Sequence, residues 1–200
     1  MQLNVAVFLF VGIVGIAALV IHARGRSWRS IRDLLGLRFG PGRAYLVLIP
    51  FTIVAAVVTA AIARFFLLGA FTHPAADTSL AVYARQTPGV GTLAAAFAYE
   101  MGTTAIGEEL FFRGLIAGWL LGWLGAWWGN LAQALVFLLP HLALIALAPG
   151  LWWVVILAAF GGGLVLGAVR QWTGSILPGM LAHGLTNTVA AGVTMWLAHS

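Results

Sequence analysis

Apolar residues recur along the whole chain in runs of about 20 or more, the length that crosses bilayer hydrocarbon as an α-helix, with only short polar stretches between them. Six runs stand out, over residues 2–21, 45–71, 92–121, 128–148, 151–169 and 176–197. No polar block exceeds about 25 residues, so no separate water-soluble domain fits. Gly40-Pro41-Gly42, Thr87-Pro88-Gly89 and Pro149-Gly150 are turn signals between runs, and Ser175 can cap a last helix whose first turn tolerates Pro178. The pattern predicts an all-α, polytopic transmembrane helix bundle of about six spans. The first run lacks the basic start of a secretory signal and is long for its apolar part, so it is expected to be retained. Residues 1–91 would carry two helices and a basic loop, and 92–200 the rest of one structural domain.

Composition strengthens that reading. Of 200 residues, 62% are hydrophobic and 8% charged, which leaves too little polar surface to cover a soluble globule. The net charge of +5 could suggest nucleic acid, but Arg24, Arg26, Arg29, Arg32, Arg38 and Arg43 crowd one loop beside apolar spans, the pattern of a membrane face near anionic lipid. With the 22–44 loop cytoplasmic, Arg170 in a 170–175 loop falls on the same side and Arg85 on the other, seven loop arginines against one. The absence of cysteine excludes disulfides, thiolate metal sites and a cysteine nucleophile. Trp119, Trp123, Trp127, Trp128, Trp152, Trp153 and Trp172 lie near span ends, as an interfacial belt requires. Gly163 and Gly167, with the triplet from Gly161 to Gly163, suit close helix packing within the bundle rather than dimerisation.

Six residues sit where hydrocarbon makes them costly: Glu108, Glu109, Arg113, His141, His183 and Asn187, each near the middle of its span. A charge there costs about 2.5 to 3.5 kcal/mol even on insertion scales. Successive helical residues differ by about 100°, so Glu109 and Arg113 share a face and form a natural, bidentate pair. Glu108 points away, has no sequence-local cation, and is the candidate general base. Pro140 frees the Val136 carbonyl and is expected to kink the helix at His141, with Phe137 on the same face as the imidazole. His183 and Asn187, four apart, aim two donors at one point, as an oxyanion hole needs, and Gly184 beside them permits close approach of a backbone or substrate. Arg64 is expected to snorkel and Glu100 to pair with some polar group. Singly, each histidine or asparagine has a plainer reading as an interhelical hydrogen bond, and the acid-arginine set as a structural lock. Six together exceed what stability demands.

At these residues the chain resembles the CPBP family of intramembrane proteases, which includes CAAX prenyl endopeptidases of the Ras-converting type and bacterial bacteriocin-processing or self-immunity (Abi) proteins. The EExxxR motif is matched by Glu108 to Arg113, FxxxH by Phe137 to His141 and HxxxN by His183 to Asn187, in that order. The likeness runs from about Tyr99 to Ala191, including Arg170 to Ser175, and makes 92–200 the catalytic part. It implies that Glu108 and His141 activate a water for attack on a peptide carbonyl, that His183 and Asn187 stabilise the oxyanion, and that Glu109 and Arg113 are structural or positioning. Glu and two His could also ligate zinc, but there is no HExxH pair, so a site without metal or other cofactor is favoured.

The expected activity is therefore an intramembrane endopeptidase acting on a membrane-associated, prenylated CAAX-like or leader-peptide substrate. The expected setting is a prokaryotic plasma (inner) membrane, with the lipid bilayer and the substrate as partners and no nucleic acid. A non-catalytic membrane scaffold or bacteriocin self-immunity protein that retains the motifs is the alternative. A proton-coupled transporter would more often show internal repeats, and rhomboid-like serine chemistry lacks its GxSxG or GxSG signature.

Overall fold

The computed structural model describes residues 5–76 and 78–200, so residues 2–4 of the first expected span lie outside the described residues. Among the described residues every regular element is helical. In chain order these are α1 (Val5–Ala23), α2 (Trp28–Leu35), α3 (Gly42–Phe65), α4 (Leu68–Thr72) and α5 (Ser79–Ala84). A 58-residue run, Val90–Leu147, follows. It breaks at Gly125, whose φ of 76° and ψ of 178° are not helical, and so divides into α6 (90–124) and α7 (126–147). Then come α8 (Pro149–Thr173) and α9 (Leu177–Ala198).

Val5–Ala23, Gly42–Phe65, the run Val90–Leu147 and Pro149–Thr173 are each long and apolar enough to cross a membrane. The protein is an all-α membrane helix bundle. Its polarity is inside out relative to a soluble fold: Phe8, Leu9, Val57 and Leu139 are among many large apolar residues on the outer surface, while Glu109, Arg113, Gln133 and Thr194 are wholly buried. α9 is diluted by His183, Thr186, Asn187 and Thr188, and it is shielded by packing against α3, α5, α6 and α8. Four stretches among the described residues meet that criterion of length and apolarity, the run Val90–Leu147 counting once although Gly125 divides it, and α9 is not among them.

Several boundaries differ from the sequence-based expectation, each for a local reason. The second span ends at Phe65 rather than residue 71, because Phe66 and Leu67 both direct their N–H to the Ile62 carbonyl and the chain turns before α4. The basic 22–44 loop contains the amphipathic α2. Ser27 caps its start by accepting the Ser30 N–H at 3.2 Å, left-handed Gly36 (φ 67°) closes its end, and Ile31 and Leu35 are buried. Arg170 is not a loop residue. It lies in the last turn of α8, is 8% exposed, and donates to the Leu34 carbonyl at 2.9 Å, satisfying the end of α2.

The loops after α2 and after α8 meet on one face of the bundle. Arg38 Nε donates to the Gly174 carbonyl at 2.7 Å, Ile176 N–H to the Gly36 carbonyl at 3.0 Å, and the Ser175 hydroxyl to the Arg38 carbonyl. Ser175 Oγ also accepts the Leu177 N–H at 3.1 Å, although the N-cap position of α9 falls to Ile176 rather than to Ser175 as expected. Trp119, Trp123, Trp127, Trp128, Trp152 and Trp172 are exposed, as a belt requires.

The glycine face of α8 packs inside the bundle. Gly163 lies on Ala134, and a Cβ at Gly167 would collide with Asn130 and Gln133 of α7. Asn130 donates to the Leu164 carbonyl at 3.1 Å and Gln133 to the Gly163 carbonyl at 2.7 Å. This buried polar seam clamps α7, the helix that carries Phe137 and His141, against α8.

Candidate active site

The site forms where α6, α7 and α9 meet. α6 is not uniformly α-helical: π-helical windings over Met101–Ala105 and Glu109–Ile116 flank the short α-helical piece that ends at Glu108. Such wide turns concentrate at functional sites because they re-aim side chains that an α-helix would stagger. Here both glutamates reach one residue of α9. Glu109 Oε1 accepts from His183 Nδ1 at 2.9 Å, and Glu108 Oε2 stands 3.8 Å from His183 Nε2.

Glu109 and Arg113 are 0% exposed, with Arg113 Nη1 3.0 Å from the same Glu109 Oε1. The expected bidentate pairing is not formed. The Arg113 guanidinium lies on the Phe137 ring, 3.8 Å from its centroid, and its nitrogens make no aligned hydrogen bond, so the contact with Glu109 is ionic. Glu109 Oε2 is likewise without a hydrogen-bond partner among the described residues.

Phe137 is more than packing. Its ring also stands 4.5 Å from the His141 ring and 6.3 Å from that of His183, so one aromatic separates the cation from both imidazoles. His141 Nδ1 lies 2.8 Å from the Phe137 carbonyl. A carbonyl can only accept, so Nδ1 carries the proton and the lone pair of neutral His141 is on Nε2. The Glu109 carboxylate likewise holds a proton on His183 Nδ1. Both histidines lie within electrostatic reach of Glu108, whose Oε2 has no hydrogen-bond partner among the described residues. The result is a carboxylate within electrostatic reach of two oriented imidazoles, groups of the kind that move a proton to or from a water molecule.

Asn187 turns elsewhere. Its Nδ2 donates to Glu100 Oε2 at 3.1 Å, so it and His183, one turn apart on α9, face different partners. Glu100 Oε1 also accepts from the Tyr83 hydroxyl at 2.5 Å. Glu100 lies eight residues, about two helical turns, before Glu108, and that spacing was the available signal for a second polar layer on the same face. Tyr83, on the short α5, offers no comparable signal. Gly184 does admit a close neighbour, but the neighbour is the Met101 side chain of α6 rather than a substrate. Arg64 is exposed at the end of α3, consistent with snorkelling.

Among the described residues no group of three His, Cys, Asp or Glu is disposed to hold a metal. The Nδ1 atoms of both histidines are engaged by protein acceptors, which leaves Nε2 of each ring facing the site.

Residues 89–189, which span α6 to most of α9, match the family model described as type II CAAX prenyl endopeptidase Rce1-like. The chain belongs to this Rce1-like family. No curated protein and no solved structure matches it. The match takes in every residue of the cluster around His183, together with Glu100 and Asn187, and leaves out α1 to α5, including Tyr83. At family level the chain is an integral membrane protein of the CAAX-type intramembrane endopeptidases, a family whose substrates are membrane-associated peptides.

Proposed function

We propose that this chain hydrolyses a peptide bond of a prenylated CAAX-like or leader-peptide substrate with water activated by Glu108 and His141. The observation that carries the proposal is the placement of Glu108 3.8 Å from the His183 imidazole while Glu109 is consumed by Arg113 and His183. One glutamate is left to react. Glu108 or His141 Nε2 takes a proton from water, and the hydroxide adds to the substrate carbonyl. The oxyanion is met by donors of α9. His183, doubly protonated, would offer Nε2–H, and the second N–H of Asn187 is unused by Glu100. The proton returns to the leaving amine, so the base ends as it began. No step requires a Lewis acid. The cell membrane is proposed to be a prokaryotic plasma membrane, with the 22–44 side cytoplasmic.

The test is cleavage of a farnesylated CAAX peptide and its unprenylated form by purified wild-type protein, with Glu108→Gln as the blank and metal content measured on the active sample. Product from wild type alone supports the proposal. No cleavage of either peptide or of leader peptides would favour a scaffold or immunity role. Stoichiometric zinc, with activity lost on chelation and restored by zinc alone, would replace the metal-free route.

A further inference from the structure

In the polar chain from Tyr83 through Glu100 to Asn187 only Asn187 has a role assigned above, and the other two residues are buried. Tyr83 is 2% exposed and Glu100 5% exposed. The Tyr83 ring clusters with Ala96, Ala191 and Met195. Ala96 is one turn before Glu100 on α6, and Ala191 is one turn after Asn187 on α9, so small residues on both helices make the slot that admits the ring. The ring enters from α5, the short segment between α3 and α6, and its hydroxyl ends on Glu100 Oε1 at 2.5 Å. Glu100 Oε2 takes the Asn187 N–H at 3.1 Å.

We infer that Glu100, anchored by Tyr83, is a positioning residue that sets which way the Asn187 carboxamide faces, and so aims its free N–H at the substrate oxyanion. This rests on the protease reading above. A carboxylate can only accept, so it selects the N–H₂ end of the amide; an uncharged amide at position 100 could present either end and would let Asn187 turn over. Tyr83 stays a donor throughout, since burial and the adjacent Glu100 carboxylate push its phenol far above the usual range. An amide oriented beforehand needs no reorganisation when charge develops on the substrate oxygen, which is where such donors act most strongly. The arrangement also gives α5 a part in the site, although it lies before the residues that match the family.

Two measurements separate this inference from the reading it rests on. The first needs no activity: thermal unfolding in detergent of Glu100→Ala, Asn187→Ala and the double variant. A hydrogen-bonded link makes the double variant lose less than the two single losses together, whereas strict additivity overturns the link. The second is kinetic. Glu100→Gln is expected to lower kcat about tenfold to 10²-fold with KM within about twofold, and Tyr83→Phe to lower it about threefold to tenfold. In an Asn187→Ala background Glu100→Gln should cost nothing further. Equal loss in both backgrounds, or a change in KM alone, would show that Glu100 does not act through Asn187. A wild-type protein that cleaves nothing while the unfolding coupling is present overturns the protease reading and the positioning role with it, and leaves a structural link only.

Discussion

Glu109 Oε1 and Arg113 Nη1 stand 3.0 Å apart with both side chains wholly buried. An ion pair so placed gains little over an apolar pair of the same shape, but loss of one partner strands the other charge at a cost of about 3 to 5 kcal/mol. Arg113→Met keeps much of the contact with Phe137 and removes only the charge. It should therefore lower the unfolding temperature in detergent clearly, with activity falling through loss of folded protein. Full stability and full activity in this variant would show that the pair locks nothing.

The seam between α7 and α8 is a second structural demand. At Gly167 a Cβ would enter the space of Asn130 and Gln133, which hold the α8 backbone, whereas at Gly161 the nearest atom to a Cβ is Leu157 Cδ1 at 3.9 Å. Gly167→Ala should destabilise by about 1 to 3 kcal/mol. Gly161→Ala should be neutral or slightly stabilising, since alanine favours helix. Equal effects of the two on thermal unfolding would contradict the seam as described.

Much of this architecture was legible in the sequence, because hydrocarbon enforces length and apolarity on a span and leaves the polar exceptions conspicuous. Glu108, Glu109, Arg113, His141 and His183 were found that way, and the structure brings them together. What escaped was set by packing rather than composition. The contact of both glutamates with His183 depends on π-helical windings that a fixed angle of about 100° per residue cannot anticipate. α2 was hidden in a run of arginines, although Ser27 and Gly36 mark its ends. Tyr83 meets Glu100 across 17 residues of chain and an intervening turn, a pairing that no local periodicity encodes.

Membrane orientation is open to a direct test. The chain has no cysteine, so a single introduced thiol reports unambiguously. The joined loops after α2 and α8 put both on one face, and the arginine excess predicts that this face is cytoplasmic. Arg29→Cys, exposed on α2, should resist an impermeant thiol reagent applied to intact cells, while Thr87→Cys, exposed between α5 and α6, should react. The reverse labelling pattern would invert the proposed topology.

The division of labour between adjacent glutamates is the most exposed expectation. Glu108 is 17% accessible at its side chain and faces His183 Nε2, while Glu109 is inaccessible and spends one oxygen on two partners. Glu108→Gln should abolish peptide-bond cleavage and leave the unfolding temperature near that of wild type, because glutamine keeps the shape but cannot take the water's proton. His141→Ala should be almost as damaging to kcat. His183→Ala and Asn187→Ala should each cost about 10² to 10³ in kcat, the loss typical of one oxyanion donor. Glu109→Gln should act first on stability, since it leaves Arg113 buried opposite a neutral group and weakens the hold on His183. An active Glu108→Gln beside a folded but inactive Glu109→Gln would exchange the two roles. His183 would then be the relay to a catalytic Glu109, with Glu108 as its second acceptor.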